Sequence, residues 1–339
     1  MKTHDSIFAV RPFLYAAMRI TYNFQDMVFS RGDYSRQIRK ICVLELLSQK
    51  RVQSFRTIRE EEVHHLVETI KSKSGLAINL KNLLYSLSLS ILSRTAFGAR
   101  FKQQDAFKKL LPGIVELFGG ISVVDVYPSI KFLHLINVVR PKQRRLHREA
   151  DGILESVIQE HKAAMKQENE VDDFVQVLLD IQDRGDFEIP LSTSGIKAIL
   201  MKSSSDAKGT SRGEASLWGG EDVNKSAIFK LKYLNLVIKE TLWLHPPAPL
   251  LLPRECQESC EVMGYFELIP FGARKRMCPG MSYGIANVEL ILANLLYHFD
   301  WKLPNGMEPR DLDMAEIFGA SLRRKHDLCL VPLPCQFGT

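Results

Sequence analysis

Cys278 stands where a cysteine can do chemistry: Arg274, Lys275 and Arg276 precede it, Pro279 and Gly280 follow, and Met281 opens a long apolar period. That period, through Ile285, Val288, Ile291, Leu292, Leu295, Leu296 and Phe299, has the i, i+3, i+4, i+7 spacing of one helical face. The first turn of such a helix turns unpaired N–H groups and the positive end of its macrodipole toward whatever comes before it. Helix N-termini and neighbouring cations both lower a thiol's pKa from its ordinary value of about 8.5. Pro279 suits the first helical position, where its missing N–H costs nothing, and Gly280 lets backbone approach a flat partner. The setting predicts a thiolate acting as metal ligand or nucleophile, against the plainer alternative of an inert packed cysteine before a helix.

The elements that must position this thiol are mostly helical. Gly32 to Ser48 is predicted to be a helix, with Asp33 placed to cap it, Tyr34, Ile38 and Cys42 along one face, and Arg36, Arg39 and Lys40 making its start basic. Further amphipathic helices are expected over residues 53–74, from an Asn79 cap to Phe97, over 141–167, and from Asp172 and Asp173 to Gly185. Residues 113–128 are expected to be a loop-bearing apolar stretch. Lys202 to Val223 is rich in Ser, Gly and charge without a hydrophobic period, and is expected to be a linker. Helical spacing returns at Leu231, Leu234, Val237, Ile238 and Leu242 and ends at His245-Pro246-Pro247. Trp301 to Leu303 and Leu328 to Val331 are expected terminal strands. The fold class is mainly α with minor β.

Composition narrows the function classes. A hydrophobic fraction of 45% over 339 residues supports a substantial core, and the net charge of +6 is too mild to point to nucleic acid. The six cysteines show no paired C-x-x-C spacing, which argues against structural zinc and suits reduced intracellular thiols. No apolar run long enough to span a bilayer is present, so nothing in the chain is expected to anchor it.

Phe271, Arg276, Cys278 and Gly280 together resemble the haem-binding loop of the cytochrome P-450 family, Phe-x-x-Gly-x-Arg-x-Cys-x-Gly, whose cysteine is the thiolate ligand of haem iron. Arg36 and Arg39 resemble the plant branch's Trp-Arg-x-x-Arg helix, in which the second arginine binds a haem propionate. The similarity runs in family order over most of 1–200 and 227–335. It implies a P-450-like fold with an N-terminal helical part (1–200), an irregular linker in place of the long distal, oxygen-activating helix (201–226), and a C-terminal part carrying the haem loop (227–339). On this resemblance the family's N-terminal anchor is expected to be absent from the chain.

The resemblance implies haem b as cofactor, with Cys278 as metal ligand and Phe271, Arg276, Gly280 and Arg39 as cofactor-binding residues. It also implies NADPH-derived electrons from a reductase and a small apolar organic substrate of secondary-metabolite type. The family works on the cytoplasmic face of the endoplasmic reticulum membrane; without an anchor this chain is expected in the cytoplasm. Departures stand at three motif positions: Arg274 for the first glycine, Ser35 for the tryptophan, and Trp243 for the arginine that pairs with Glu240 in the family. A buried Glu240 stripped of that partner would cost about 3–5 kcal/mol. No A-G-x-D-T pattern of the distal helix is found. Two readings follow, an active haem-thiolate monooxygenase and a non-catalytic remnant that binds haem weakly or not at all.

Overall fold

The structure, a computed structural model, describes residues 5–98, 102–119, 125, 130, 139–165, 173–185, 187–203, 231–260, 269–317 and 321–335. Its helices, in chain order, are α1 (Tyr15–Ile20), α2 (Gly32–Ile41), α3 (Gln49–Ser54), α4 (Arg56–Lys71), α5 (Leu80–Phe97), α6 (Gln104–Gly119), α7 (Val139–Met165), α8 (Phe174–Arg184), α9 (193–203), α10 (Leu231–Leu244) and α11 (Met281–His298). A π-helical turn, Cys42–Leu46, extends α2. The strands are few: β1 (Ile78–Asn79), β2 (Phe299–Lys302), β3 (Glu316–Ile317), β4 (Arg323–Arg324) and β5 (Cys329–Pro334). β5 lies between β1 and β2, antiparallel to both, with Ile78 opposite Leu330 and Phe299 opposite Pro334.

The apolar periods account for the packing. Ile38 and Ile41 of α2, Leu89 and Leu92 of α5, Leu154 and Ile158 of α7, and Leu178 and Ile199 of α8 and α9 fall into one buried cluster. Val67 and Ile70 of α4, Leu84 and Ile91 of α5, and Ile291 and Leu295 of α11 form a second with Leu330 of β5. A third joins Leu234 and Ile238 of α10 to Val288 and Leu292 of α11. Thus α11, which begins just past Cys278, sits at the junction of two clusters.

Several expectations are corrected. Residues 113–119 are helical, not a loop: Ile114, Val115 and Leu117 are buried along α6. A Cβ on Gly113 would stand 2.9 Å from Leu146 Cδ1, so this glycine lets α6 and α7 close on each other. The remaining apolar residues of that stretch lie largely outside the described residues. Asp33 does not cap α2; it sits in the first turn and pairs with Arg36 at 2.6 Å, both exposed, while the cap position is Arg31. The segment 53–74 divides into α3 and α4 at Phe55. α9 continues to residue 203, past the expected change at Met201, and the rest of the 201–226 segment lies outside the described residues. Glu240 is exposed, so the uncompensated buried charge expected there does not arise; water solvates it. Trp243 beside it is 54% exposed.

Two caps behave as expected. Asn79 Oδ1 accepts from the Asn82 N–H at 3.0 Å and Asp173 Oδ1 from the Gln176 N–H at 2.9 Å. Asp173 also joins α8 to α7, because its other oxygen lies 2.8 Å from His161 Nε2, while His161 Nδ1 is 2.8 Å from the Val157 carbonyl. Two acceptors on one imidazole require both ring nitrogens to carry protons. Burial works against that charge, but the hydrogen bond and charge of Asp173 outweigh it and raise the His161 pKa.

The loop before α11 carries strain. Phe271 and Arg274 have φ of +64° and +63°, in the left-handed region that side chains other than glycine disfavour by about 1–2 kcal/mol. Arg274 is exposed, so its cost lies in the backbone and not in a clash with anything in the interior.

Two predictions follow from these contacts. Because the raised His161 pKa contributes stability that is complete below the unfolded value of about 6.5 and is lost as pH rises through the folded value, Asp173→Asn, which keeps the cap, should destabilise by about 1–2 kcal/mol near pH 5 and by much less near pH 9. Urea unfolding across that range tests it, and a pH-independent difference would refute it. Arg274→Gly should stabilise by up to about 1 kcal/mol, relief of strain offset in part by about 0.4–1 kcal/mol of added unfolded-state entropy. A lowered unfolding midpoint would mean that the loop does not hold this geometry.

Candidate cofactor site

The loop closes on itself before handing over to α11. The Cys278 N–H donates to the Phe271 carbonyl at 2.8 Å, and the Met277 N–H to the Arg274 carbonyl at 3.0 Å. Gly272, φ +70°, sits inside that closed turn with Leu251 Cδ1 3.4 Å from where its Cβ would be. The result presents Cys278, half-buried, to a cavity of about 380 Å³ between α2, α5, α10 and α11, a volume within the usual range for small-molecule and cofactor pockets. A Cβ on Gly280 would lie 3.9 Å from Cys278 Sγ, so glycine keeps that flank of the sulfur uncovered.

All five residues singled out from the sequence, Cys278, Phe271, Arg276, Gly280 and Arg39, line this cavity. Arg276 is the most engaged. Its Nε donates to the Ala9 carbonyl at 2.6 Å, Nη2 to the Ser30 carbonyl at 3.1 Å, and Nη1 to Ser35 Oγ at 3.1 Å and the Val28 carbonyl at 3.4 Å. Ser35, noticed in the sequence only as a departure, is therefore a partner of the loop arginine. Arg39 donates to the Met277 carbonyl and so ties α2 to the residue before the cysteine.

Two further arginines on the wall were missed by sequence reasoning. Arg11 Nη1 donates to the carbonyls of Leu252 and Pro253 at 2.7 and 2.9 Å, and Arg254 Nη2 to the Ala273 carbonyl at 3.2 Å. Both are cations beside a proline, Arg11-Pro12 within an apolar stretch and Pro253-Arg254 at the end of one, and that is the signal they left. Burial, then the neighbouring charges of Arg276, Arg254 and Arg39, push the Arg11 pKa down to about 10. Arg276 is lowered by burial and then by Arg39 and Arg254. Arg39 is lowered by burial, against which the Cys278 thiolate raises it.

Four guanidinium groups therefore repel one another around one apolar space. Asp26 is the weakest of the influences on Arg11 and Arg276, and Asp5 reaches Arg254 only at 3.8 Å. Among the described residues the buried Arg11 Nε has no acceptor. A donor set of this kind fits a flat anion with two carboxylates on the arginine side and a sulfur-seeking metal at Cys278, which is the chemistry of iron protoporphyrin.

Among the described residues no helix is long and apolar enough to cross a membrane. The family model described as cytochrome P450 matches residues 1–203, 216–267 and 264–330. The chain is 40% identical to cytochrome P450 726A27 of Euphorbia lathyris, covering 98% of this chain and 80% of that protein. It is also 40% identical to premnaspirodiene oxygenase of Hyoscyamus muticus, over 99% of this chain and 82% of the relative. The first of these alignments runs over 402 positions, more than the chain's 339 residues, so the relative carries residues with no counterpart here. Among solved structures, a zebra fish cytochrome P450 with progesterone aligns at a TM-score of 0.78 and 16% identity over 98% of this chain and 90% of that one, a likeness of fold. Family match, relatives and fold agree, and the chain belongs to the cytochrome P450 family, on its plant branch.

Proposed function

We propose that the chain is a haem-thiolate monooxygenase acting on a small apolar organic substrate of secondary-metabolite type. The observation that carries this is the convergence of the Cys278 thiol and four arginines on one apolar cavity. Haem b, when bound, supplies oxygen activation, with electrons from NADPH through a reductase at the endoplasmic reticulum surface. The chain's own residues do the rest. Cys278 would hold the iron through Sγ, and Arg11, Arg39 and Arg254 would face the carboxylates, Arg11 through its Nε; Arg276 gives its donors to backbone carbonyls and Ser35 Oγ and so ties the loop to α2. Leu92, Val115, Phe174 and Ile238 exclude water and offer only dispersion and hydrophobic contact, which selects an apolar substrate. Relatives named for oxygenation of premnaspirodiene and dihydroxylation of 5-epiaristolochene support that class.

The second reading, a non-catalytic remnant, draws on the residues that relatives have and this chain lacks, and on the left-handed backbone at Arg274. Absorbance spectra separate the two. On haem titration the active reading expects stoichiometric uptake, a red-shifted Soret band for the reduced carbon monoxide complex, its loss in Cys278→Ala, and oxidised product when a reductase is supplied. Haem supplied without that band favours the remnant. Arg11→Met should weaken haem affinity by roughly 10- to 100-fold, the worth of about 1.5–3 kcal/mol for a charged hydrogen bond, with Arg11→Lys in between. Equal weakening in both variants would assign Arg11 to holding the 252–253 backbone and not to the carboxylate.

A further inference from the structure

A second pair of reactive groups lies outside the cavity. Cys256 and Cys260 flank a short exposed loop with their sulfurs 3.8 Å apart, and the Cys256 thiol is 3.0 Å from the Glu258 carbonyl that accepts from it. Sequence alone hid the pair, because a C-x-x-x-C spacing in an extended segment would hold the two thiols far apart. The backbone around Cys256 is pinned on both sides. The Glu255 N–H donates to the Val10 carbonyl at 2.9 Å, the Gln257 N–H to the Ile7 carbonyl at 3.2 Å, and the Glu255 carboxylate meets Arg31 at 3.3 Å. The thiols are therefore held in reach of each other by contacts that do not involve them.

The geometry points to a reversible thiol–disulfide site: Cys256 and Cys260 close into an intramolecular disulfide when a low-molecular-weight disulfide of the glutathione type is the oxidant. Cys256 is exposed and Cys260 half-buried, so Cys256 meets the oxidant first. Its thiolate attacks one sulfur of the oxidant and expels the other half as a thiol, forming a mixed disulfide. The Cys260 thiolate then attacks Cys256 Sγ and expels the second half. Two protein thiols are oxidised, one disulfide oxidant is reduced to two thiols, and the protons pass to those thiols. Cys42 is no competitor, since it is buried and burial pushes its thiol up to about 12. Closing so short a loop removes little unfolded-state entropy, and an exposed disulfide is readily reduced, which suits a bond made and broken under changing redox poise. The ring lies beside Arg254, so its closure stiffens the strap that holds the Ala273 carbonyl.

The full chain, loaded with haem, is incubated with oxidised glutathione, its remaining thiols are alkylated, and the tryptic peptides are weighed. Residues 255–274 contain no internal Lys or Arg and no third cysteine, so one peptide reports on both thiols. The expected result is that peptide lighter by two hydrogens, unalkylated, and restored by dithiothreitol. Cys260→Ser should instead leave glutathione attached to Cys256. Full alkylation of both cysteines after oxidation, or a persistent glutathione adduct on Cys256 in the unsubstituted chain, would overturn the proposal.

Discussion

Arg276 fastens the two ends of the chain together. Its guanidinium bonds to the carbonyls of Ala9, Val28 and Ser30 and to Ser35 Oγ, partners roughly 240 to 270 residues earlier in sequence. Arg39 reaches back from α2 to the Met277 carbonyl, and Arg254 holds the Ala273 carbonyl from the other side. The loop that presents Cys278 is thus positioned by arginine-to-carbonyl bonds and not by a sheet, and hydrogen bonds from a charged donor are worth more than neutral ones. Their loss would leave a half-buried cation without partners, a cost of several kcal/mol. The whole site depends on this one fastening.

The same arginines create an electrostatic demand. Placing four like charges around an apolar space is unfavourable: burial first, and then the neighbouring guanidinium groups, lower the pKa of Arg11 and Arg276. A dianionic cofactor bound there, as the proposed function has it, would relieve that repulsion, and because anything that binds the folded chain alone adds to its stability, folding and cofactor binding would then be coupled. Rigid packing supports the arrangement from behind, where α11 joins two apolar clusters and Gly113 lets α6 and α7 approach closely.

Substitutions at motif positions turned out to differ in kind. At Ser35 the smaller side chain found a partner in Arg276, whereas at Arg274 the backbone kept the left-handed conformation that glycine would have taken freely. Next to Trp243, the exposed Glu240 is hydrated and carries no desolvation cost. A motif departure therefore has no fixed price; what decides it is whether the position is buried and what φ it must adopt.

Much was legible in the residues themselves. Helical periods placed α4, α5, α7, α8, α10 and α11, the caps Asn79 and Asp173 were named by residue type, and the sequence around Cys278 pointed to a sulfur before a helix. These are local properties, set by side-chain spacing and by the preferences of single residues, and one chain displays them without knowing its partners. The tertiary structure decided the rest. It made residues 113–119 helix because Ile114 and Leu117 had a core to enter, left Asp33 off the cap, brought Arg11 and Arg254 to the cavity, and set Cys256 against Cys260. Apart from Asp33, whose pairing with Arg36 is local, these depend on which distant segment arrives at a given point, and contacts between residues far apart in the chain leave no periodic trace in the sequence.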